Sequence, residues 1–179
     1  MIIFGVDPGT ILTGFGIIKS QKNKIDYLHS GIIKPNPKEN LPTKLKFIFQ
    51  ELNKLVIQYK PDIFCIETAF YGKNVQSALK IGYVRGIAMI AASINDVAIA
   101  EYSPREIKKA VVGNGSASKE QVQYMIKNLT KIEKDKIKFD ETDAIAAAVC
   151  HSIKLNSFVS SKNDWKNYIL QNPDKIIKN

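Results

Sequence analysis

A long amphipathic segment between two short apolar segments constrains the fold of this chain more than any other feature. Apolar residues recur at helical spacing over residues 41–59, and Pro61 ends the pattern. Segments 1–7 and 62–67 on either side are short and apolar, which is typical of buried strands. Because a connection of this length joins parallel strands by a right-handed crossover, we expect the two strands to lie side by side.

The other segments extend this pattern into one mixed sheet. Residues 1–7, 14–20 and 25–34 are strand-like and joined by short polar connections, which predicts an antiparallel meander. A largely apolar segment over residues 77–94 predicts a second crossover helix, followed by a fifth strand at residues 97–102. The sequence therefore predicts an α/β fold with a five-stranded mixed sheet, antiparallel in strands one to three, parallel in strands one, four and five, and flanked by helices.

The last predicted helix also sets the expected domain boundary. Alanine, isoleucine and valine recur at helical spacing over residues 142–155, and the residues that follow are rich in Asn, Ser and Lys. With 179 residues and 45% hydrophobic content, the chain is long enough to bury one full core. We expect one domain at residues 1–155 and a weakly ordered basic tail, carrying one short helix, at residues 156–179.

The charge of the chain favours a polyanionic partner. The formal net charge is +9, and Lys and Arg along one face of a protein displace condensed counterions from nucleic acid. Arg85 and Arg105 are the two arginines, and the lysines suit loose phosphate contacts better than readout of base edges. Ribosomal and membrane-surface proteins share this balance, so the charge alone does not identify the partner.

Cysteine placement and hydropathy predict a cytoplasmic protein. Cys65 and Cys150 lie in apolar segments without metal-ligand spacing, so we expect reduced core residues. No segment reaches the roughly 18 apolar residues of a membrane span, and no charged region precedes the first apolar segment as in a signal peptide. We therefore expect no membrane association.

Four acidic residues occupy positions that predict a metal site. Asp7 and Glu67 end two strands that we expect to be parallel neighbours, and ligands gather outside the carboxyl ends of such strands. Asp140 and Asp143 are three residues apart at the start of a predicted helix, so their side chains point the same way. Carboxylates in one pocket repel each other, and hard divalent ions such as Mg²⁺ would neutralise them.

Two such ions would point to phosphodiester hydrolysis. Held about 4 Å apart, they can activate a water molecule and stabilise the leaving oxygen. Each acid alone has an equally good structural explanation, since Asp7 precedes a Pro-Gly turn and Asp140 or Asp143 can favour the positive end of a helix. The four positions taken together favour the metal site. Glu101 and Glu141 are left out of it, because Glu101 precedes the end of the fifth strand and Glu141 points away from its acidic neighbours on the helix.

Several motifs together resemble those of the RuvC family of bacterial Holliday-junction endonucleases, which has a ribonuclease-H-like fold. They follow one another over residues 1 to about 153, so the resemblance is far more specific than the Asp-Pro-Gly-Thr motif alone. The matching segments are Gly5-Val6-Asp7-Pro8-Gly9-Thr10, Ile66-Glu67-Thr68-Ala69-Phe70, Ser77-Ala78-Leu79-Lys80, Lys108-Lys109-Ala110-Val111-Val112-Gly113, Ser118-Lys119-Glu120-Gln121-Val122-Gln123 and Asp140-Glu141-Thr142-Asp143-Ala144.

This resemblance implies a ribonuclease-H-like nuclease domain at residues 1–155 and a homodimer that cuts two opposed strands of four-way junction DNA, in concert with branch-migration machinery. It also implies two Mg²⁺ ions per active site, with Mn²⁺ as a substitute. The residues implied to bind these ions and to be catalytic are Asp7, Glu67, Asp140 and Asp143. The residues implied to contact DNA are Phe70, Lys73, Asn74, Lys108 and Lys119.

Some of these implied roles have physical support and also simpler explanations. Phe70 lies in a polar segment and could stack on an unpaired base, or it could fold back on its own domain. Lys119 at a helix start could neutralise phosphate or be an ordinary surface lysine. Gly82 and Gly86 permit close approach of a second helix, so residues 77–94 are the expected dimer interface unless they pack only on their own sheet.

Three other functions stay open at this point. A related ribonuclease-H-like nuclease could process structured RNA, and a non-catalytic protein could bind junctions without cutting them. Actin-like and sugar-kinase ATPases also begin with an Asp-x-Gly-Thr motif. Those ATPases need a second lobe with its own phosphate loop, and this chain has neither the length nor a second such motif.

Overall fold

The computed structural model describes residues 1–22, 24–68, 75–133 and 137–171, with side chains up to residue 156. In these residues five strands form one sheet. They are β1 (Ile2–Asp7), β2 (Thr13–Gln21), β3 (Lys24–Ile33), β4 (Ile63–Glu67) and β5 (Ala98–Tyr102). Their order across the sheet is β3-β2-β1-β4-β5.

The pairing of the strands confirms the predicted mixed sheet. β1, β2 and β3 form an antiparallel meander, and β4 pairs in parallel with both β1 and β5. Val6 lies opposite Ile66 in the parallel register of β1 and β4. The next residue of each strand is acidic, so Asp7 and Glu67 end adjacent strands at the same edge of the sheet.

Helices cover both faces of the sheet. They are α1 (Leu41–Tyr59), α2 (Val75–Ser93), α3 (Pro104–Val112), α4 (Lys119–Thr130) and α5 (Phe139–Gln171). On one face, α1 and α2 pack over a core that includes Phe4 and Phe64. On the other face, α3, α4 and α5 pack over a core that includes Ile3 and Ile18. The sheet is therefore the middle layer of three.

α5 lies directly on the backbone of β1 and β2 because the facing positions are glycine. A Cβ atom on Gly5 would collide with the carbonyl oxygen of Ala144, and one on Gly14 would collide with the carbonyl oxygen of Asp140. Gly14 is also the partner of Asp7 in the register of β1 and β2. The first turn of α5 is therefore held beside the end of β1.

The predicted limits of the last helix, residues 142–155, are wrong at both ends, because α5 begins at Phe139 and continues to Gln171. Asp140 and Glu141 lie in its first turn, where negative charge is favourable. No glycine or proline interrupts the segment before Pro173, so nothing in it stops the helix at residue 155. The proposed division between a domain at 1–155 and a tail at 156–179 falls inside this continuous helix and stays a prediction.

Two further expectations from the sequence concern the cysteines and membrane-spanning segments. Cys65 and Cys150 are free and buried. In the part of the chain with described coordinates, no helix combines the length and the apolar character needed to cross a membrane.

Candidate active site

Acidic and basic side chains from five elements line one cavity at the carboxyl edge of the sheet. The cavity has a volume of about 220 Å³. Its acidic residues are Asp7 of β1, Glu67 of β4 and Asp143 of α5, and its basic residues are Lys108 of α3 and Lys119 of α4. Apolar side chains of α3 and α4 complete the wall. Residues that are far apart in sequence thus converge on a space large enough for a phosphate group and ions.

The positions of the acids follow from the local structure. Asp7 and Glu67 lie at the carboxyl ends of adjacent parallel strands, and Asp143 is about one turn into α5. Asp140 is half-buried and does not line the cavity, but its charge helps to raise the pKa of Asp7. The structure therefore brings three of the four predicted acids to one cavity and the fourth within electrostatic reach.

Burial and mutual repulsion raise the pKa values of two of these carboxyl groups. The pKa of Asp7 is raised from 3.8 to about 7, first by burial and then by the charges of Asp143 and Asp140. The pKa of Glu67 is also raised to about 7, again mainly by burial and then by Asp7 and Asp143. Lys119 lowers both pKa values in part. Strongly raised pKa values of this kind are typical of functional sites.

Lys119 is the cation nearest to the acids in this arrangement. Its Nζ atom donates a hydrogen bond to Oδ2 of Asp143 at 2.8 Å, and this bond raises the pKa of the lysine. The same Nζ atom lies 5.9 Å from the centre of the Phe139 ring. Lys108 lines the same cavity and lowers the pKa of Glu67. The ammonium groups thus partly offset the charge of the acids.

The donor set fits divalent ions that also bind water and substrate. The four predicted ligands are carboxylates, which Mg²⁺ prefers, and the pKa values of Asp7 and Glu67 are raised by burial first and by the neighbouring acids second, so a cation beside them would favour their charged forms. Within the described ranges, no three acidic, histidine or cysteine side chains are close enough together to hold a metal ion by themselves. Mg²⁺ is usually bound by one or two carboxylates together with water and substrate phosphates, so the acids of this cavity still suit such ions.

The raised pKa of Asp7 predicts a pH-dependent stability difference. Between the unfolded pKa of about 3.8 and the folded pKa of about 7, the folded state binds more protons, so stability falls as the pH rises through this window. Asp7→Asn removes the ionisable group and with it this loss of stability at higher pH. Without divalent ions, we expect the variant to melt at a higher temperature than the unmodified protein at pH 8, with the difference shrinking towards pH 4.5. A difference that stays constant with pH in thermal denaturation would contradict the prediction.

The predicted DNA-contacting residues divide into two groups. Lys108 and Lys119 line the cavity beside the acids. Phe70, Lys73 and Asn74 lie outside the described residues. The roles of all five in DNA binding stay predictions.

Glu141 has no role predicted from the sequence, yet the structure joins it to β3. Glu141 is 3% exposed, and its Oε1 atom accepts a hydrogen bond from Oγ of Ser30 at 2.5 Å. A buried carboxylate needs such a partner. The one signal in the sequence is a third acid between Asp140 and Asp143, and no local pattern connects it to a serine 111 residues away.

Comparison with known proteins agrees with this geometry. Residues 3–151 match the family model of the crossover junction endodeoxyribonuclease RuvC. The chain belongs to the RuvC family. The RuvC of Chloroherpeton thalassium is 44% identical to it, over 99% of this chain and 100% of the relative. The RuvC of Porphyromonas gingivalis is 42% identical, over 98% of this chain and 96% of the relative. The resemblance inferred from the motifs is thereby confirmed.

Two solved structures share this fold. Thermus thermophilus RuvC in complex with a Holliday junction substrate superposes with a TM-score of 0.82 at 25% identity, covering 88% of this chain and 96% of that one. The yeast mitochondrial Holliday junction resolvase Ydc2 superposes with a TM-score of 0.68 at 12% identity. The match covers 93% of this chain and 85% of the resolvase. At that identity the second likeness concerns the fold alone. The predicted ribonuclease-H-like architecture is confirmed.

Proposed function

We propose that this chain is a divalent-metal-dependent endonuclease that resolves Holliday junctions by cutting two opposed strands symmetrically. The observation that carries the proposal is the cavity in which Asp7, Glu67 and Asp143 face Lys108 and Lys119. Membership of the RuvC family supports the choice of substrate, since the Thermus thermophilus relative is described in complex with a Holliday junction.

The acids and the lysines have different parts in the proposed reaction. Asp7, Glu67, Asp140 and Asp143 would hold two Mg²⁺ ions, which supply an activated water and charge stabilisation when bound. Burial of Asp7 and Glu67 strengthens their attraction for cations, because the local dielectric is low.

The lysines add positive charge where a DNA phosphate would lie. Lys108 and Lys119 line the same cavity as the acids, so a phosphate that enters it meets both ammonium groups. We infer that Phe70, Lys73 and Asn74 contact the junction itself. Lysine-phosphate contacts make binding depend on backbone shape and on salt rather than on base sequence. We also infer that the protein acts in the cytoplasm alongside branch-migration machinery.

An apolar stripe on α2 supports a homodimer. A Cβ atom added to Gly82 or Gly86 would meet no other atom within 4 Å, so the helix surface is open there. Large apolar side chains are exposed along the same helix and just beyond it, at intervals of four or seven residues. They are Val75, Leu79, Tyr83, Ile90 and Ile94. A helix from a second copy of this chain would cover such a stripe and bring two active sites together for paired cuts.

Charging this stripe is expected to separate the dimer. Ile90→Glu places a carboxylate at the proposed interface, and an unpaired buried charge costs several kcal/mol, so the dimer dissociation constant should rise by about a hundredfold or more. Analytical ultracentrifugation measures this constant. Ile57→Glu is the matched control, since Ile57 is similarly exposed, 55% against 52%, but lies on α1. Equal behaviour of the two variants would argue against α2 as the interface.

A side-by-side cleavage assay tests the proposed substrate. The protein is incubated with a mobile four-way DNA junction, a linear DNA duplex or a structured RNA, each with Mg²⁺ or Mn²⁺. We expect paired symmetric cuts in the junction, leaving 5′-phosphate and 3′-hydroxyl ends, and no cuts in the RNA. Cleavage of the RNA alone would favour an RNA-processing nuclease. Junction binding without cleavage in either ion would favour an architectural protein.

A further inference from the structure

Glu141 is a buried carboxylate that the proposed reaction does not use. It lies between Asp140 and Asp143 in the sequence, yet it is absent from the wall of the active-site cavity. Instead its Oε1 atom accepts a hydrogen bond from Oγ of Ser30 at 2.5 Å. Oγ of Ser30 also lies 2.9 Å from the hydroxyl oxygen of Tyr27. Because Ser30 gives its hydrogen to Glu141, the Tyr27 hydroxyl is the donor to Ser30, and a hydrogen-bonded chain links α5 to β3.

The position of this chain matters because the first turn of α5 carries predicted metal ligands. Gly14 lets the carbonyl oxygen of Asp140 rest against β2, which sets the height of the turn above the sheet. The bond from Glu141 to Ser30 reaches beyond β2 to the next strand, β3. The backbone contact fixes the distance between the helix and the sheet, and the side-chain bond to β3 adds a directional tie on one side of the first turn.

Helix geometry relates the position of Glu141 to the direction of the Asp143 side chain. Successive residues are about 100° apart around an α-helix, so Asp143 points about 200° away from Glu141. Holding Glu141 against β3 therefore turns Asp143 towards the opposite side, where the cavity lies. A rotation that broke the bond to Ser30 would leave a buried carboxylate without this partner, which is costly.

We propose that Glu141, held by Ser30 and Tyr27, is a positioning residue that sets the rotation of the first turn of α5 and so aims the carboxylate of Asp143 into the metal-binding cavity. This inference rests on the proposed function, because it assumes that Asp143 binds a divalent ion. Glu141 itself contacts neither ion nor DNA in this scheme. Its effect on metal binding passes entirely through the orientation of the helix.

Variants of the chain test this role through metal affinity. Glu141→Ala and Ser30→Ala each remove the bond between α5 and β3, whereas Glu141→Gln keeps an oxygen that can accept from Ser30. The probe is Mn²⁺ alone, titrated into the full-length protein by calorimetry. We expect the first two variants to weaken Mn²⁺ binding by about tenfold or more, as loss of groups that orient metal ligands usually does. Glu141→Gln should stay within about threefold of the unmodified protein.

A matched variant separates positioning from general stability. Oγ of Ser20 and Oγ of Ser152 form a buried hydrogen bond of 2.7 Å that also ties α5 to the sheet, farther along the helix. Ser20→Ala should lower the melting temperature but leave Mn²⁺ affinity unchanged. Weakened Mn²⁺ binding in Ser30→Ala, with that of Ser20→Ala unchanged, supports the inference even if Glu141→Ala does not fold.

Two distinguishable results would count against the positioning role of Glu141. Unchanged Mn²⁺ affinity in Ser30→Ala, beside normal Mn²⁺ binding and junction cleavage by the unmodified protein, would overturn the positioning role alone. Absence of both Mn²⁺ uptake and cleavage in the unmodified protein would overturn the proposed function and this inference with it.

Discussion

Asp7→Asn is expected to lower the rate of junction cleavage by about a thousandfold or more. The amide keeps the size of the side chain but lacks the charge that would hold the ions, and metal-ion stabilisation of the transition state is worth several kcal/mol, where each 1.36 kcal/mol is tenfold in rate. Junction binding should persist, because Lys108, Lys119 and other lysines make the phosphate contacts. Single-turnover cleavage and gel-shift assays on one junction measure the two properties.

Asp26→Asn is the control for this experiment. Asp26 is an acid of β3 that pairs with Lys24 at 2.7 Å and has no part in the cavity. Its substitution should leave cleavage within about twofold, as surface ion pairs contribute little. Cleavage by Asp7→Asn at the normal rate would remove the basis for the metal site. Loss of junction binding together with cleavage would show that Asp7 does more than hold ions.

Gly5→Ala is expected to destabilise the fold by about 3 kcal/mol or more, at the upper end of the cost of overpacking a core. The added methyl group would meet the carbonyl oxygen of Ala144 and the backbone nitrogen of Ala148. Both obstacles are backbone atoms of α5, so no side chain can turn aside to make room. The helix would have to lift from β1, which would also disturb the acids at the end of the sheet. Urea denaturation followed by circular dichroism measures the loss.

Gly113→Ala makes the same chemical change without a collision. Gly113 ends α3 at a φ of 84°, and no atoms lie within 4 Å of its Cβ position. Its substitution should cost only the backbone strain of a left-handed residue, about 1 to 2 kcal/mol. If Gly5→Ala costs no more than this control, α5 does not rest on β1 as closely as the contacts indicate.

Elements with local end signals were predicted well. The predicted first helix, residues 41–59, matches α1, and its start is set by Asn40, whose side chain accepts a hydrogen bond from the backbone of Thr43. Ser118 and Gln121 likewise form a capping box at the start of α4. In each case the interacting groups are three residues apart, so the sequence contains the whole interaction.

The last helix shows where prediction from composition fails. Its predicted end at residue 155 relied on a change of composition towards Asn and Ser, whereas the helix continues to Gln171. Such residues have only slightly lower helix propensity than the residues before them, and a run of them does not stop a helix as proline does. Composition predicted a boundary that backbone geometry does not require.

The candidate site likewise combines features that the sequence predicts with features that it does not. Asp7 and Glu67 were predicted to share an edge because strand ends, a crossover helix and its handedness are all visible in one sequence. The hydrogen bond from Lys119 to Asp143 spans 24 residues, and neither it nor the hydrogen bond from Ser30 to Glu141 follows from any local pattern. These bonds determine how the acids are oriented and how strongly their charge is offset.

The amino-acid sequence alone determined the order of the strands and the family, and it predicted four acids as site residues, because each depends on local periodicity, on short motifs or on the general rules of chain connection. Only the tertiary structure decided that the pKa values of Asp7 and Glu67 are raised, that Lys119 pairs with Asp143 and that Ser30 donates a hydrogen bond to Glu141. Those properties arise from desolvation and from contacts between distant segments, and neither exists until the helices have packed against the sheet.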